Sequence, residues 1–272
     1  MRIKEIVVHY ARLLKDVSDV PQKEVMILLA ELLRKETSWL VAHGDEEIVL
    51  PPLFEEWMNR RTRYEPLEYI LERAEFYAKT FYVDSNVLIP RPETELLVDK
   101  VVEEARALSS PVIVEIGTGS GIIAIMTAHL LPDASIIAVD ISGEALKVAK
   151  KNARLHGVED RIEFIEGSYL AGIHRSIDIL VSNPPYIALN EPLGKGLSYE
   201  PSLALFGGEK GNEMLCRIID LYAQHEIKTL VCEMGYDQRI ALTCYAKQKG
   251  LEIEFYQDLA GLDRGFWIKE QK

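Results

Sequence analysis

The spacing of apolar positions along the chain changes near residue 70. In PQKEVMILLAELLRKETSWL (21–40), Val25, Leu28, Leu29, Leu32 and Leu33 recur every three or four residues. At 3.6 residues per turn that spacing makes one apolar face of a helix. Pro51-Pro52 interrupts the pattern, and LFEEWMNRRTRYEPLEYIL resumes it with Leu53 and Trp57 on the apolar side. The spacing predicts a small bundle of three to five helices over residues 1–72.

From EFYAKTFYVDSNVLI the composition is that of strands, with a turn-prone Asp84-Ser85-Asn86. A two-stranded hairpin within residues 73–90 is expected to link two domains. After Arg91-Pro92 the pattern alternates. Helices are predicted over Glu93–Ala107, Ile122–Leu131 and Gly143–His156. Short apolar strands are predicted at Val112–Ile116, Ser135–Val139, 161–165, 177–182 and 229–233. LEIEFYQDLAGLDRGFWIKE adds two strand-like stretches around a glycine-bearing turn. Strands alternating with helices imply an α/β fold with a Rossmann-like, doubly wound sheet over residues 91–272.

Composition narrows the partners. The formal net charge is −12, and the only dense basic cluster is Arg60, Arg61 and Arg63. A protein that grips nucleic acid neutralises phosphates with a basic face, so a dedicated DNA enzyme is disfavoured and the cluster reads as a solvated helix end. No apolar run is long enough for a spanning helix, and the charged N-terminus does not read as a signal peptide. Cys216, Cys232 and Cys244 are scattered, and the six histidines form no His-x-x-x-His pair. A reduced, cytoplasmic, metal-free protein is expected.

Two motifs carry chemistry. Glu115-Ile116-Gly117-Thr118-Gly119-Ser120-Gly121 joins a predicted strand to a predicted helix. Its glycines allow a tight turn and let a ligand lie against the main chain. Nicotinamide and flavin enzymes use such turns for pyrophosphate. A carboxylate at Glu115 would repel pyrophosphate and suits the cationic end of S-adenosylmethionine. Asp140 ends the next strand about twenty residues on, the distance typical of an acid that binds ribose hydroxyls. Alternatively it caps the following helix, a task that Ser142 could also perform.

The second motif, Ser182-Asn183-Pro184-Pro185-Tyr186, follows the apolar strand Ile177–Val181. An amide nitrogen is a poor nucleophile because its lone pair is delocalised into the carbonyl. The Asn183 oxygen and the Pro184 carbonyl can each accept one of its hydrogens. The prolines hold those acceptors in extended backbone, and Tyr186 offers an aromatic face to a flat target group.

At these residues the chain resembles the amino-group methyltransferases that modify adenine, cytosine or glutamine nitrogens. Further segments resemble the PrmC/HemK family of peptide chain release factor N5-glutamine methyltransferases: Leu88-Ile-Pro-Arg-Pro-Glu-Thr-Glu95, Glu65-Pro-Leu-Glu-Tyr-Ile70, Tyr199-Glu-Pro201, Ala204-Leu-Phe-Gly-Gly208 and Asp258-Leu-Ala-Gly-Leu-Asp-Arg264. The resemblance runs from about residue 60 to the end. It implies a class I methyltransferase fold and methylation of the glutamine in a Gly-Gly-Gln loop, an act of translation termination. It also implies that Asn183, Pro184, Pro185 and Tyr186 hold that glutamine, and that Glu115, Gly117, Thr118, Gly119, Ser120, Gly121, Asp140, Tyr169 and Asn183 hold S-adenosylmethionine. The helical region 1–72 would then grip the release factor. A monomer with no direct nucleic-acid or membrane partner is expected.

Departures from the family pattern are visible. Glu115 stands where the family more often has Asp, and Lys210 where it often has an acid. Ser168 stands where an acid often meets adenine, which leaves Tyr169 as the better candidate for that contact. Tyr64 occupies a position where the family usually has glycine, so a different backbone is expected there. The alternative chemistry is adenine-N6 methylation of nucleic acid, disfavoured by the acidic balance. A non-catalytic binding module is disfavoured by the intact Gly117, Asp140 and Asn183.

Overall fold

A computed structural model describes residues 1–270 and divides the chain into two compact units. The first comprises Met1–Glu72 together with Gly194–Tyr199. Its helices are α1 (Ile3–Leu13), α2 (Pro21–Leu33), α3 (Thr37–Ala42), α4 (Pro52–Thr62) and α5 (Leu67–Leu71). Proline at the first position starts both α2 and α4, where its missing N–H has no intrahelical partner to lose. Val25, Leu28 and Leu29 of α2 are fully buried against Ile3, Ile6 and Leu14, while Leu32 and Leu33 are half-exposed. In α4 the buried side is Phe54 and Met58, not the expected Leu53, which is 42% exposed. Each fully buried side chain of this size stabilises the bundle by about 1.5–3 kcal/mol.

Within the basic cluster only Arg63 is exposed as expected of a solvated helix end, while Arg60 and Arg61 are paired. Arg61 binds Glu24 through Nε (2.7 Å) and Nη2 (3.1 Å), and Arg60 binds Glu65 through Nε (2.9 Å) and Nη2 (2.6 Å). Arg61 is only 11% exposed. Two forked ion pairs tie α4 to α2 and to the turn before α5, so these guanidinium groups serve the fold.

Tyr64 keeps the left-handed backbone that its position implies for glycine, with φ +72°. That conformation costs a side-chain-bearing residue about 1–2 kcal/mol. The Tyr64 hydroxyl donates to the Asp16 carbonyl (3.1 Å) and accepts from Lys195 Nζ (3.0 Å), whose ammonium also lies over the ring. Here the backbone is the glycine-like one, and the phenol makes bonds that offset its strain.

The second unit runs from Arg73 to Leu193 and resumes at Glu200. It opens with an antiparallel hairpin, β1 (Arg73–Phe76) and β2 (Lys79–Tyr82). The turn is Tyr77-Ala78, both at positive φ, rather than Asp84–Asn86. Neither residue favours such a turn. It is held from outside: Glu95 accepts the Tyr77 N–H at 2.7 Å, and Asp99 accepts the Tyr77 hydroxyl.

The elements that follow are α6 (Thr94–Ala105), β3 (Val112–Ile116), α7 (Ile122–Leu130), β4 (Ser135–Asp140), α8 (Gly143–Leu155), β5 (Ile162–Glu166), β6 (Ile177–Ser182), β7 (Ile187–Ala188), α9 (Ser202–Leu205), β8 (Phe206–Gly208), α10 (Glu213–Gln224), β9 (Ile227–Glu233), α11 (Arg239–Gln248), β10 (Glu254–Gln257) and β11 (Asp263–Lys269). Among the described residues, seven strands form one sheet in the order β10-β11-β9-β6-β3-β4-β5. Five are parallel, and β11 pairs antiparallel with both β9 and β10. Leu97, Val98, Ile123 and Ala153 pack α6, α7 and α8 on one face, while Leu215, Ile219 and Leu242 pack α10 and α11 on the other. Covering both faces explains the near-continuous apolar runs of β3, β4 and β6.

The chain leaves β3 toward β4 and β5 on one side and later returns through β6 to β9 on the other. That reversal between β3 and β6 opens a crevice at the carboxyl ends of the strands, the place where open α/β sheets bind ligands. Among the described residues, no helix is long and apolar enough to cross a membrane.

Candidate active site

A cleft of about 330 Å³ lies at this reversal, lined from β3 by Gly117–Ser120, from β4 by Asp140 and from β6 by Asn183 and Pro185. The glycines divide the work. Gly117 (φ +74°) and Gly119 (φ +54°) lie in left-handed backbone, and a Cβ on either would meet nothing within 4 Å. Their bare backbone therefore faces open space that a ligand can fill. Gly121 (φ +83°) is different, because a Cβ there would stand 3.1 Å from the Ala149 Cβ. It lets α7 pack closely on α8.

Asp140 accepts the Gly119 N–H on Oδ2 (2.8 Å) and the Ser142 N–H on Oδ1 (2.9 Å). Ser142 itself caps α8, its Oγ accepting from the Ala145 N–H at 3.1 Å. Capping α8 thus falls to Ser142, and Asp140 is left to brace the glycine loop. Each Asp140 oxygen keeps a further lone pair for a vicinal diol. Gly167, Ser168 and Tyr169 complete this wall of the cleft.

Glu115 does not line the cleft. It lies beneath the loop, 1% exposed, with Oε2 accepting from Thr118 Oγ1 (2.8 Å) and the Ala124 N–H (3.0 Å). Its Oε1 is buried without a hydrogen-bond partner. Burial pushes its pKa up to about 8; the bonds from Thr118 and Ala124 oppose the rise, and the charge of Asp140 adds to it. A buried carboxyl with one oxygen unsatisfied next to this loop fits a cationic ligand group, acting from below rather than by lining the cleft.

At the β6 end, Asn183 Nδ2 donates to Thr94 Oγ1 at 3.2 Å. Tyr186 is half-buried and does not line the cleft; its hydroxyl donates to Glu233 Oε1 at 3.5 Å. The aromatic face expected for the target group is therefore packed toward the sheet, where burial raises the phenol pKa. Pro184 is also buried, leaving Asn183 and Pro185 as the side chains of this motif in the cleft.

One residue that sequence reasoning missed, Gln238, holds the turn. Gln238 Nε2 donates to the Tyr186 carbonyl (3.0 Å) and the Gly211 carbonyl (3.2 Å), while its Oε1 accepts the Gly235 N–H (3.0 Å). Glu200, 6% exposed, accepts the Ile89 N–H on Oε2 (3.0 Å) and Arg91 Nη2 on Oε1. It ties the Ile89–Arg91 stretch to Glu200-Pro201 beside the cleft. Gly207 belongs here too, since a Cβ on it would stand 2.4 Å from the Pro185 carbonyl oxygen.

The family profile described as the PrmC N-terminal domain matches residues 5–71, and the methyltransferase small domain matches residues 92–192. A release factor glutamine methyltransferase of Clostridium acetobutylicum is 32% identical, with 97% of each chain covered. One from Lactococcus lactis is 39% identical over 80% of this chain and 82% of its own. Bifunctional methyltransferases of Rickettsia also match; that of Rickettsia felis is 36% identical over 89% of this chain, which spans only 53% of its length. Among solved structures, a ribosomal protein L11 methylase from Lactobacillus delbrueckii has a TM-score of 0.51 at 23% identity, covering 70% of this chain and 84% of that one. The hMettl16 catalytic domain, solved with an RNA hairpin, has a TM-score of 0.57 at 15% identity, covering 83% and 84%. At these identities the two structures speak for the fold.

Proposed function

The chain belongs to the release factor glutamine methyltransferase family, and from that premise we propose that it methylates N5 of the glutamine in the Gly-Gly-Gln loop of peptide chain release factors. The observation that carries this reading is the shared cleft: Asn183 and Pro185 line the same cavity as the open glycines and Asp140. A flat amide seated at β6 is thereby within the same enclosure as a nucleoside seated at β3 and β4.

S-adenosylmethionine, when bound, supplies a methyl group on a cationic sulfur. Asp140 would hold the ribose hydroxyls, the Gly117–Gly121 loop the main body of the cofactor, and Tyr169 the adenine. Buried Glu115 holds its proton up to about pH 8 in the free protein, and a cationic group bound above the loop would favour its ionisation. Asn183 and the Pro184 carbonyl would each accept one hydrogen of the target amide. As the nitrogen gives up its lone pair, those hydrogens become more acidic, and both acceptor bonds strengthen. The residues therefore orient the nitrogen and stabilise developing positive charge without an obligatory general base. Tyr186 would support the turn from behind. The helical unit would grip the body of the release factor, and the enzyme would act as a cytoplasmic monomer.

The test is incubation with labelled cofactor, offering a release factor, the same factor with its Gly-Gly-Gln glutamine replaced by alanine, and duplex DNA in parallel. Label is expected on the first substrate alone. Equal label on the alanine-substituted factor, or label on DNA, would overturn the reading.

A further inference from the structure

The Asn183 amide could turn either its oxygen or its nitrogen to the cleft, and the chemistry above needs the oxygen. Which end faces inward depends on what meets the other end. Nδ2 lies 3.2 Å from Oγ1 of Thr94, a side chain 1% exposed at the first position of α6. A hydroxyl both donates and accepts, so Thr94 alone would tolerate either face of the amide. Behind it stands Glu233 at the end of β9, 2% exposed. The Thr94 and Tyr186 hydroxyls both stabilise its charged form. An ionised carboxylate only accepts, so it claims the single Thr94 hydrogen and leaves lone pairs facing Asn183. Only the amide NH₂ can meet those.

We infer that Thr94 and Glu233 are positioning residues for methyl transfer, forming with Asn183 a buried chain whose hydrogen-bond polarity keeps the Asn183 oxygen turned into the cleft. This rests on the role of Asn183 proposed above. Nothing in the fold requires the chain to have that direction; the reaction does.

The direction depends on the charge of Glu233. Tyr186, Tyr256, Thr94, Glu93 and Arg264 act on it from the elements packed around it. Burial pushes its pKa up to about 7, Glu93 adds to the rise, and Thr94, Arg264 and Tyr186 oppose it. Tyr256 is itself raised well above its ordinary value by burial, so it stays neutral through this range, and Arg264 is held cationic by its bond to Asp258. Below neutral pH a protonated Glu233 can donate to Thr94, and the hydroxyl hydrogen is released toward Asn183. The amide is then free to turn over, and turnover should fall as pH drops through about 7.

Single-turnover methylation of a release factor, measured across neutral pH, tests this with Thr94→Val, Thr94→Ser, Glu233→Gln and Asn183→Ala. Thr94→Val should slow the reaction on the order of 100-fold, the cost of a misplaced reacting group. Its affinity for S-adenosylhomocysteine by calorimetry should stay within a few-fold of the parent's. Thr94→Ser, which keeps the hydroxyl, should restore most of the rate, and Glu233→Gln should flatten the acidic limb of the pH profile. The profile remains informative even if Thr94→Val does not fold. Parent-like turnover in Thr94→Val, a Thr94→Ser as slow as Thr94→Val, or an unchanged acidic limb in Glu233→Gln overturns the inference. Parent-like turnover in Asn183→Ala instead overturns the role of Asn183 itself.

Discussion

Two buried glutamates stand behind the cleft, one at the end of β3 and the other at the end of β9. Both are almost inaccessible, both have an oxygen with no hydrogen-bond partner, and burial raises the pKa of each, to about 8 for Glu115 and about 7 for Glu233. Their surroundings differ. Glu115 takes its bonds from Thr118 and Ala124, three and nine residues along the chain. It braces the loop that it introduces. Glu233 meets groups from α6 and from the turn after β6, Thr94 and Tyr186, which are far away in sequence. A locally satisfied acid fixes the shape of one loop. An acid approached from remote elements can set the direction of a hydrogen-bond chain that none of those elements determines alone.

If this contrast holds, substitutions at the β6 end should act on turnover, and those at the β3 and β4 ends on cofactor binding and stability. The largest effect is expected from Asn183→Ala, which removes a preorganised acceptor at the reacting centre. Turnover should fall on the order of 100- to 1000-fold, while calorimetric cofactor affinity changes far less. Next comes Asp140→Ala, which should weaken cofactor binding by roughly 1.5–3 kcal/mol through lost charge-assisted hydrogen bonds. A variant with parental affinity would remove Asp140 from the cofactor site.

Glu115→Gln sharpens the comparison through pH. Because folding raises the Glu115 pKa from 4.5 to about 8, the folded state holds a proton that the unfolded chain releases. Stability from this group is complete below the ordinary carboxylate range and is lost as pH rises toward 8. Glu115→Gln should therefore stabilise the protein by roughly 1–3 kcal/mol above pH 8. Melting curves should converge with the parent's as pH falls; a constant offset would contradict the assignment. The smallest effect is Thr118→Val, which removes one donor to the charged form. It should destabilise by about 1 kcal/mol, and more at high pH than at low, as thermal melts in the two buffers would show.

The same contrast explains what the residues alone could reveal. The strands β3, β4 and β6, the glycine loop, Asp140 and Asn183 are legible because each is written in consecutive residues: an apolar run, then glycines, an acid or Asn-Pro-Pro-Tyr. Helix α10, absent from the predicted elements, carries a signal too: Leu215, Ile218, Ile219 and Tyr222 stand at helical spacing. The hairpin turn was hidden because Tyr77-Ala78 has no turn-forming residue and is held by Glu95 and Asp99 of α6. Arg60 and Arg61 looked solvated because their acid partners lie five and thirty-seven residues away. Thr94 and Asn183 are 89 residues apart, and only the packing of α6 beside β6 brings them together.

Mass spectrometry of a release factor after reaction with the enzyme and S-adenosylmethionine tests most directly whether this cleft presents a glutamine side-chain amide for methylation. One added methyl group is expected, mapped by fragmentation to the side-chain nitrogen of the Gly-Gly-Gln glutamine and absent when the Asn183→Ala enzyme is used. A methyl group on any other residue, or the same modification from the Asn183→Ala enzyme at the parental rate, would contradict it.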